Sequence, residues 1–543
     1  MTILNYSCMA NFNLFQKIPV KVPNKSGFDL SHENMLTLKC GTLVPVMTDL
    51  LIPGDKVSVG SAFEIQLPPM ATDFYGRVRF RMEAFFVPCR LLYGGWQKFM
   101  TSPTGSRPLG STTTTTLPYV VVPSANASVL KRGSLADYLG FKGTVNTNQR
   151  INNLLRFFAY HKIYDDWYRD SRIQKPVFSE ALGSSESQFN AANMPYLRAI
   201  SSSSLPYSSC DLADGVSLFG LRQRNWARDY FTNATPLPQS GTGASLSFTV
   251  NNDPDPATGT GSFTIASLRA ANSLQQWLER NNVAGDRYAD QIRAHFGVMP
   301  SDAVNQRAVY LGSSSSLIYN HSVYQTVGST PLADVDKNPF SSVATKYSSP
   351  IGSDKCSLVS SFEATEFGYL MVIGSIVPDA VYGTGVNRDF FRSHIGDFAF
   401  PLLQGVGDQP IYKAELGNFG SDGNTMADMS TFGYTQRFSE YKFMPDEVHG
   451  GLVEGQSLSA FALKRSFGGV PSISLGTDFL QIPVSYLDDV AATSSALPSV
   501  FGAWADIFFQ YRKVSVLSAY TIPTLGDLQN THTEFIPNGG RRL

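Results

Sequence analysis

The sequence has 543 residues, enough for several ordinary domains or for one core carrying large insertions. Charged residues make up only 16%, against 43% hydrophobic, and 43 basic residues face 44 acidic ones for a net charge of −1. That balance excludes a chain that neutralises a packed genome by itself, because each phosphate contact wants a Lys or Arg; a separate basic protein, polyamines or metal ions would be needed. With 37 Phe, 24 Tyr, 45 Gly and 31 Pro, composition leaves two readings open. One is a surface buried against other chains, since interfaces favour aromatics over Lys and Glu; the other is a β-rich monomer with a large core.

The start, Met1 to Cys8, has no basic region and no sustained apolar run, so it does not read as a signal peptide, and Met9 offers an alternative start. No run of 18 apolar residues occurs, which argues against a membrane-spanning helix. Phe63, Ile65 and Leu67 share one face of a short strand ending at Pro68-Pro69. Val78, Phe80, Met82, Ala84 and Phe86 share one face of a longer strand, with Arg79, Arg81 and Glu83 opposite. Residues 101–116, with the run Thr112 to Thr116, read as an exposed loop. Ile151, Leu154, Leu155 and Phe158 form a helical stripe, continued by Ile163 and Trp167 after a small shift in phase.

Residues 239–262, rich in Gly, Ser, Thr and Asn, read as a second loop with a short strand near Leu246 to Val250. A helix over about 265–281 is expected to turn Leu268, Ala271, Leu274 and Leu278 inward and Arg269, Gln275, Glu279 and Arg280 outward. Another opens at Asp286 as N-cap and closes at Gly297 as C-cap. Residues 311–330, with the run Ser313 to Ser316, read as a third exposed loop. Tyr369 to Val377 is a strand buried on both faces, and Val514 and Val516 lie in another near the end. Separated strands with long irregular connections point to an antiparallel sandwich such as a jelly roll.

Local catalytic motifs are absent. The seven histidines, at 32, 161, 295, 321, 394, 449 and 532, give no HxH or HExxH. The cysteines at 8, 40, 89, 210 and 356 form no CxxC pair, and an odd, scattered set fits a reducing compartment. Asp165-Asp166-Trp167-Tyr168-Arg169-Asp170 offers paired carboxylates, but neighbours on a helix point in different directions. We read it as a helix end whose aromatics anchor in the core while its charges pair. Gly259-Thr-Gly261 and Gly383-Thr-Gly385 lack a Walker lysine or a full GxGxxG, and Gly383 and Gly385, which follow strand-like residues, read as a turn.

Several stretches in order carry a resemblance. They are Ser26-Gly-Phe-Asp-Leu-Ser-His-Glu-Asn-Met-Leu-Thr-Leu38, Gly41 to Pro45, Pro53-Gly-Asp-Lys56 and Phe85-Phe-Val-Pro-Cys-Arg-Leu-Leu92. Asp166 to Asp170, Arg228-Asp-Tyr-Phe-Thr232, Leu268-Arg-Ala-Ala271 and His295-Phe-Gly-Val298 follow, and then Phe432-Gly-Tyr-Thr-Gln-Arg-Phe-Ser-Glu-Tyr-Lys-Phe443. Taken together over residues about 26–470, they resemble the major capsid protein of the microviruses, small tailless single-stranded DNA bacteriophages, and most of all their gokushovirus branch.

The resemblance implies a mainly β fold: one domain over residues 1–543, an eight-stranded antiparallel jelly roll of the viral capsid type with long loop insertions and a few short helices. It implies a structural, non-enzymatic role with no cofactor: a T=1 icosahedral shell of about 60 copies, assembled in the host bacterial cytoplasm. Residues 239–262, with Asn251, Asp253, Asp255 and Thr258, match the loop that forms surface protrusions at the threefold axes, in a shorter version. Packaged single-stranded DNA would be touched nonspecifically by charge and stacking, with Lys131, Arg132, Arg541 and Arg542 as candidates. A small basic DNA-binding virion protein, a scaffolding protein and a host surface receptor are the other expected partners. The rival readings are a secreted jelly-roll protein that binds or cleaves glycans, and a different virion protein such as a spike.

Overall fold

The computed structural model describes residues 17–23, 25–67, 74–93, 96–101, 117–142, 148–178, 204–205, 212, 214–240, 265–285, 287–299, 301–302, 306–321, 341–346, 357–417, 430–467, 473–487, 502–518 and 531–537. The first strands are β1 (Lys17–Pro23), β2 (Ser26–Asp29), β3 (His32–Leu38), β4 (Thr42–Leu51), β5 (Lys56–Gln66) and β6 (Val78–Pro88). Short helices α1 (Cys89–Leu92), α2 (Trp96–Thr101) and α3 (Leu135–Tyr138) and strands β7 (Tyr119–Val122) and β8 (Gln149–Ile151) lead to helix α4 (Leu155–Ile163). Strands β9 (Ser204–Leu205) and β10 (Arg222–Gln223) precede helices α5 (Ile265–Ala284) and α6 (Tyr288–Phe296).

Four further strands follow: β11 (Val309–His321), β12 (Ser341–Lys346), β13 (Ser357–Glu363) and β14 (Gly368–Pro378). Short strands β15 (Val381–Tyr382), β16 (Gln409–Tyr412), β17 (Thr431–Thr435) and β18 (Asp446–Glu447) and helix α7 (Thr477–Leu480) lead to β19 (Ala503–Ser515) and β20 (Thr531–Pro537).

Two groups of strands make the main body. In one, β4, β14, β6 and β11 run side by side, every pair antiparallel. In the other, β12 and β13 flank β5, which pairs along its length with β19, and β19 in turn pairs with β2 and β3. The tail of β11, Tyr319–His321, pairs with β12 and joins the groups into one path. Their inward side chains meet in one cluster: Val57, Val59, Phe63 and Ile65 from β5 and Ile507 and Phe509 from β19 face Phe80 and Met82 of β6 and Leu370 and Val372 of β14. The Phe63 and Phe80 rings meet edge-on with centroids 4.9 Å apart.

The strand periods read from the sequence hold. Val78, Phe80, Met82, Ala84 and Phe86 are all buried, and β14 is buried on both faces for a physical reason. Its Leu370 and Val372 enter the sandwich core, while Tyr369, Met371 and Ile373 enter a second core built with α4 and its flanks. A strand covered on both sides needs a continuous apolar run rather than alternation.

Four sequence expectations need correction. Ser313 to Ser316 are not a loop: they lie in β11, paired in register with Glu83 to Phe80 of β6. Backbone pairing to a central strand holds them there in spite of their weak side-chain preference for a sheet. Glu83 lies opposite Phe80 and Met82, as expected, and is buried there because it meets Arg224. In α5 Leu268 and Leu274 are exposed, while the polar edge docks: Gln275 reaches Gln239 at 2.5 Å and Asn282 donates to the Leu237 carbonyl at 2.7 Å. Ile151 sits in β8 rather than in the helix, and Val516 falls just past the end of β19, in which Val514 lies as expected.

The phase shift after Phe158 has a cause. Residues Tyr164–Tyr168 form a π-helical turn, and the Arg169 amide donates to the Tyr164 carbonyl five residues back at 3.0 Å. Gly297 closes α6 in the left-handed conformation with φ +70°, as expected. Arg287 holds the N-cap position of α6, and Asp286 lies outside the described residues. Among the described residues no helix is long and apolar enough to cross a membrane.

Candidate intersubunit surface

The charged run at the end of α4 is structural. Asp165 pairs with Arg169 at 2.6 Å and Asp166 with Lys162 at 2.9 Å, while the Trp167 indole donates to the Ala308 carbonyl at 2.8 Å. Tyr168 donates to Glu83, and Arg224 reaches both Glu83 oxygens at 2.8 and 3.2 Å and the Ser375 hydroxyl at 3.1 Å. Burial alone would raise the Glu83 carboxyl, but Arg224, Tyr168 and Arg81 outweigh it and hold it below the ordinary 4.5. This network locks β6, β14, α4 and the 222–226 segment together.

His161, wholly buried, accepts from Arg222 Nε at 3.0 Å and sits 2.8 Å from the Leu218 carbonyl. Burial and then Arg222 push its pKa well down, so it is a neutral core histidine. Burial, reinforced by Glu366, pushes the Cys89 thiol up to about 12. Gly383 and Gly385 form a turn: a Cβ on Gly385, at φ +112°, would lie 2.1 Å from the Glu415 carbonyl oxygen. Among the described residues no three metal-ligating side chains gather.

The segment between β15 and β16 is built differently. It has three short 3₁₀ turns, Arg388–Phe391, Ile395–Asp397 and Pro401–Val406, and no long strand or helix. Phe390, Ile395, Phe398 and Leu402 all face outward, Leu402 at 91% exposure. Residues 438–444 lie against it. The Arg392 guanidinium stands 5.6 Å from the Phe398 ring and 4.5 Å from the Tyr441 ring, and Arg437 donates to the Gly396 carbonyl at 3.1 Å. Tyr441 shares the Arg392 guanidinium with Phe398, and Met444, three residues further on, is 87% exposed.

Ion pairs underneath fix this face. Arg388 binds Glu415 at 2.7 Å and the Pro410 carbonyl at 2.8 Å, and Arg392 binds Asp389 at 2.5 Å and Glu440 at 3.5 Å. Gln409 donates to Glu440 at 2.6 Å and accepts from the Phe438 amide at 3.1 Å. Burial raises the Glu415 carboxyl even though Arg388 opposes it. The Ser393 hydroxyl and the Asp397 carboxylate both approach the same ring nitrogen of His394, Nδ1, at 2.7 and 3.9 Å, so the three do not line up as a nucleophile–base–carboxylate relay; such a face can instead bind another protein surface.

Of the residues singled out in the sequence, Lys131 and Arg132 are described. They follow a 3₁₀ turn over Ser124–Leu130 and are both exposed, with Arg132 tied to Asp137 at 3.0 Å. Arg541, Arg542, Asn251, Asp253, Asp255 and Thr258 lie outside the described residues, as do most of the 101–116 and 239–262 stretches. The outward apolar face was missed. Its signal was present in Asp389-Phe-Phe391 and Phe398-Ala-Phe-Pro-Leu-Leu403, apolar clusters with neither helical nor strand period.

Comparison with known proteins gives the same direction. A family model described as capsid protein (F protein) matches residues 17–525. Capsid protein VP1 of Chlamydia phage 1 is 25% identical over 610 aligned positions, covering 94% of this chain and 98% of that protein. Capsid protein VP1 of Bdellovibrio phage phiMH2K is 27% identical with the same coverage, and that of Spiroplasma virus 4 is 24% identical over 83% of this chain and 86% of its own. With a family match spanning nearly the whole chain and an antiparallel β body beneath it, the chain belongs to the phage capsid protein (F protein) family.

Proposed function

We propose that this chain is the major shell subunit of a small tailless single-stranded DNA bacteriophage, assembling into a T=1 icosahedral capsid of about 60 copies. The observation that carries the reading is the family match over residues 17–525, together with capsid relatives aligned along almost their whole length. The work done is association, not catalysis. The eight-stranded jelly roll is the proposed core, with β4, β14, β6 and β11 as one sheet and β13, β5, β19 and β3 as the other; the antiparallel pairing and shared core support it.

In this reading the protein resides in the virion and assembles in the bacterial cytoplasm. Its partners are other copies of itself, the packaged DNA, a small basic DNA-binding protein, a scaffolding protein and a host receptor. Residues 239–262 form the outer protrusion loop. Lys131 and Arg132, exposed and adjacent, are proposed to touch DNA. Replacing both with Gln should lower packaged DNA per particle, and unchanged packaging would remove them from that role.

The decisive experiment is expression of the chain with its neighbouring phage genes, followed by sedimentation and electron microscopy. Closed particles roughly 250–300 Å across, an order-of-magnitude size for about 60 such chains, support the shell. A discrete soluble monomer with no particles or capsomer-sized oligomers overturns it.

A further inference from the structure

We propose that the apolar face formed by Phe390, Ile395, Phe398, Leu402, Tyr441 and Met444 is a seat for a second copy of this chain. The inference rests on the shell reading and names one surface through which shell contacts form.

Size is the first argument. These six residues are between 51% and 91% exposed. At roughly 150–200 Å² for a whole side chain of this size, they present on the order of 700 Å². The largest apolar patch on an ordinary monomer is about 300–600 Å², whereas each partner in a stable interface contributes roughly 800 Å². Their summed area is about that of the largest such patch or somewhat above it, and close to what one side of an interface needs.

The second argument is charge. Asp389, His394 and Asp397 stand exposed at the rim, while Arg388 and Arg392 are mostly covered and already engaged with Glu415, Asp389 and Glu440. With exposed Lys442 between Tyr441 and Met444, the rim carries both signs and offers DNA phosphates or an anionic lipid surface no net positive patch. A protein surface with both signs at its edge suits such a rim, and every other copy of this chain supplies one. Preorganisation is the third. The ion pairs to Glu415 and Glu440 and the Arg437–Gly396 bond hold the face in shape before any partner arrives, so little ordering is lost on docking.

Two measurements test this. In the first, Met444 and Phe390 are labelled by hydroxyl radicals in wild-type particles and in the dissociated wild-type chain. The proposal expects at least fivefold slower labelling of both in particles, and equal rates overturn it. In the second, Leu402→Asp combined with Met444→Asp is expressed beside wild type. The expected result is a soluble chain with wild-type circular dichroism and at least tenfold fewer particles; wild-type particle yield overturns the proposal. If the variant precipitates, the labelling of the wild-type chain decides. Wild type that never forms particles overturns the shell reading itself, an outcome distinct from particles that assemble with this face uncovered.

Discussion

The β6–β14 region and the 388–406 segment use the same kinds of side chain for opposite ends. In β6 and β14, Phe80, Met82, Leu370 and Val372 are fully buried by regular strands whose periods decide which core each side chain enters. In 388–406, Phe390, Ile395 and Leu402 point outward from turns, Phe391 is the residue that is buried, and part-buried ion pairs of Arg388 with Glu415 and Glu440 lie underneath. The first region puts its apolar atoms into folding. The second rests on part-buried salt bridges and leaves most of its apolar side chains in solvent.

Breaking the folding side should have the largest effect on stability. Phe80→Ala empties the centre of the sandwich opposite Phe63 and should cost about 3–5 kcal/mol in urea unfolding of the unassembled chain. Arg224→Ala leaves Glu83 buried with only Tyr168 and Arg81 beside it and should cost about 3 kcal/mol in the same measurement. Gly312→Ala should cost about 1–3 kcal/mol, because a Cβ there would stand 2.2 Å from the Leu358 carbonyl oxygen at the bulge in β11.

A smaller effect concerns pH. Glu83 is held below its ordinary 4.5, so the folded state releases this proton more readily than the unfolded chain does. Its contribution is complete above pH 4.5 and is lost as pH falls through the lower folded value. The urea midpoint of wild type should therefore fall more steeply below pH 4.5 than that of Glu83→Gln; parallel curves would remove Glu83 from the acid response. Smallest of all is Leu402→Asp, which should change the stability of the unassembled chain by within about 0.5 kcal/mol, since the site is open to solvent.

What could be read from the sequence follows the same division. The strands over 63–67, 78–86 and 369–377 were legible because burial on one face or both imposes a period or a continuous run. The pairing role of Asp165 to Asp170 was legible from helix directions. The placement of Ser313 to Ser316 was not, because their strand is set by the β6 backbone beside them and not by their own side chains. The burial of Glu83 was not legible, because its partner Arg224 lies 141 residues away. The inward face of α5 was misassigned because the helix docks through Gln275 and Asn282, where hydrogen bonding to residues 237–239 outweighs apolar burial. The 388–406 face has no period at all, and apolarity without a period does not say whether the partner is the same chain or another.

The most direct test measures folding and assembly side by side in two variants, Phe80→Ala and the Leu402→Asp, Met444→Asp pair. If the sandwich carries folding and the 388–406 face carries association, the first lowers the unfolding midpoint of the free chain. The second leaves that midpoint unchanged while particle yield falls at least tenfold. A midpoint that drops in step with particle yield in the second variant would contradict the division, since the outward face would then be part of the fold.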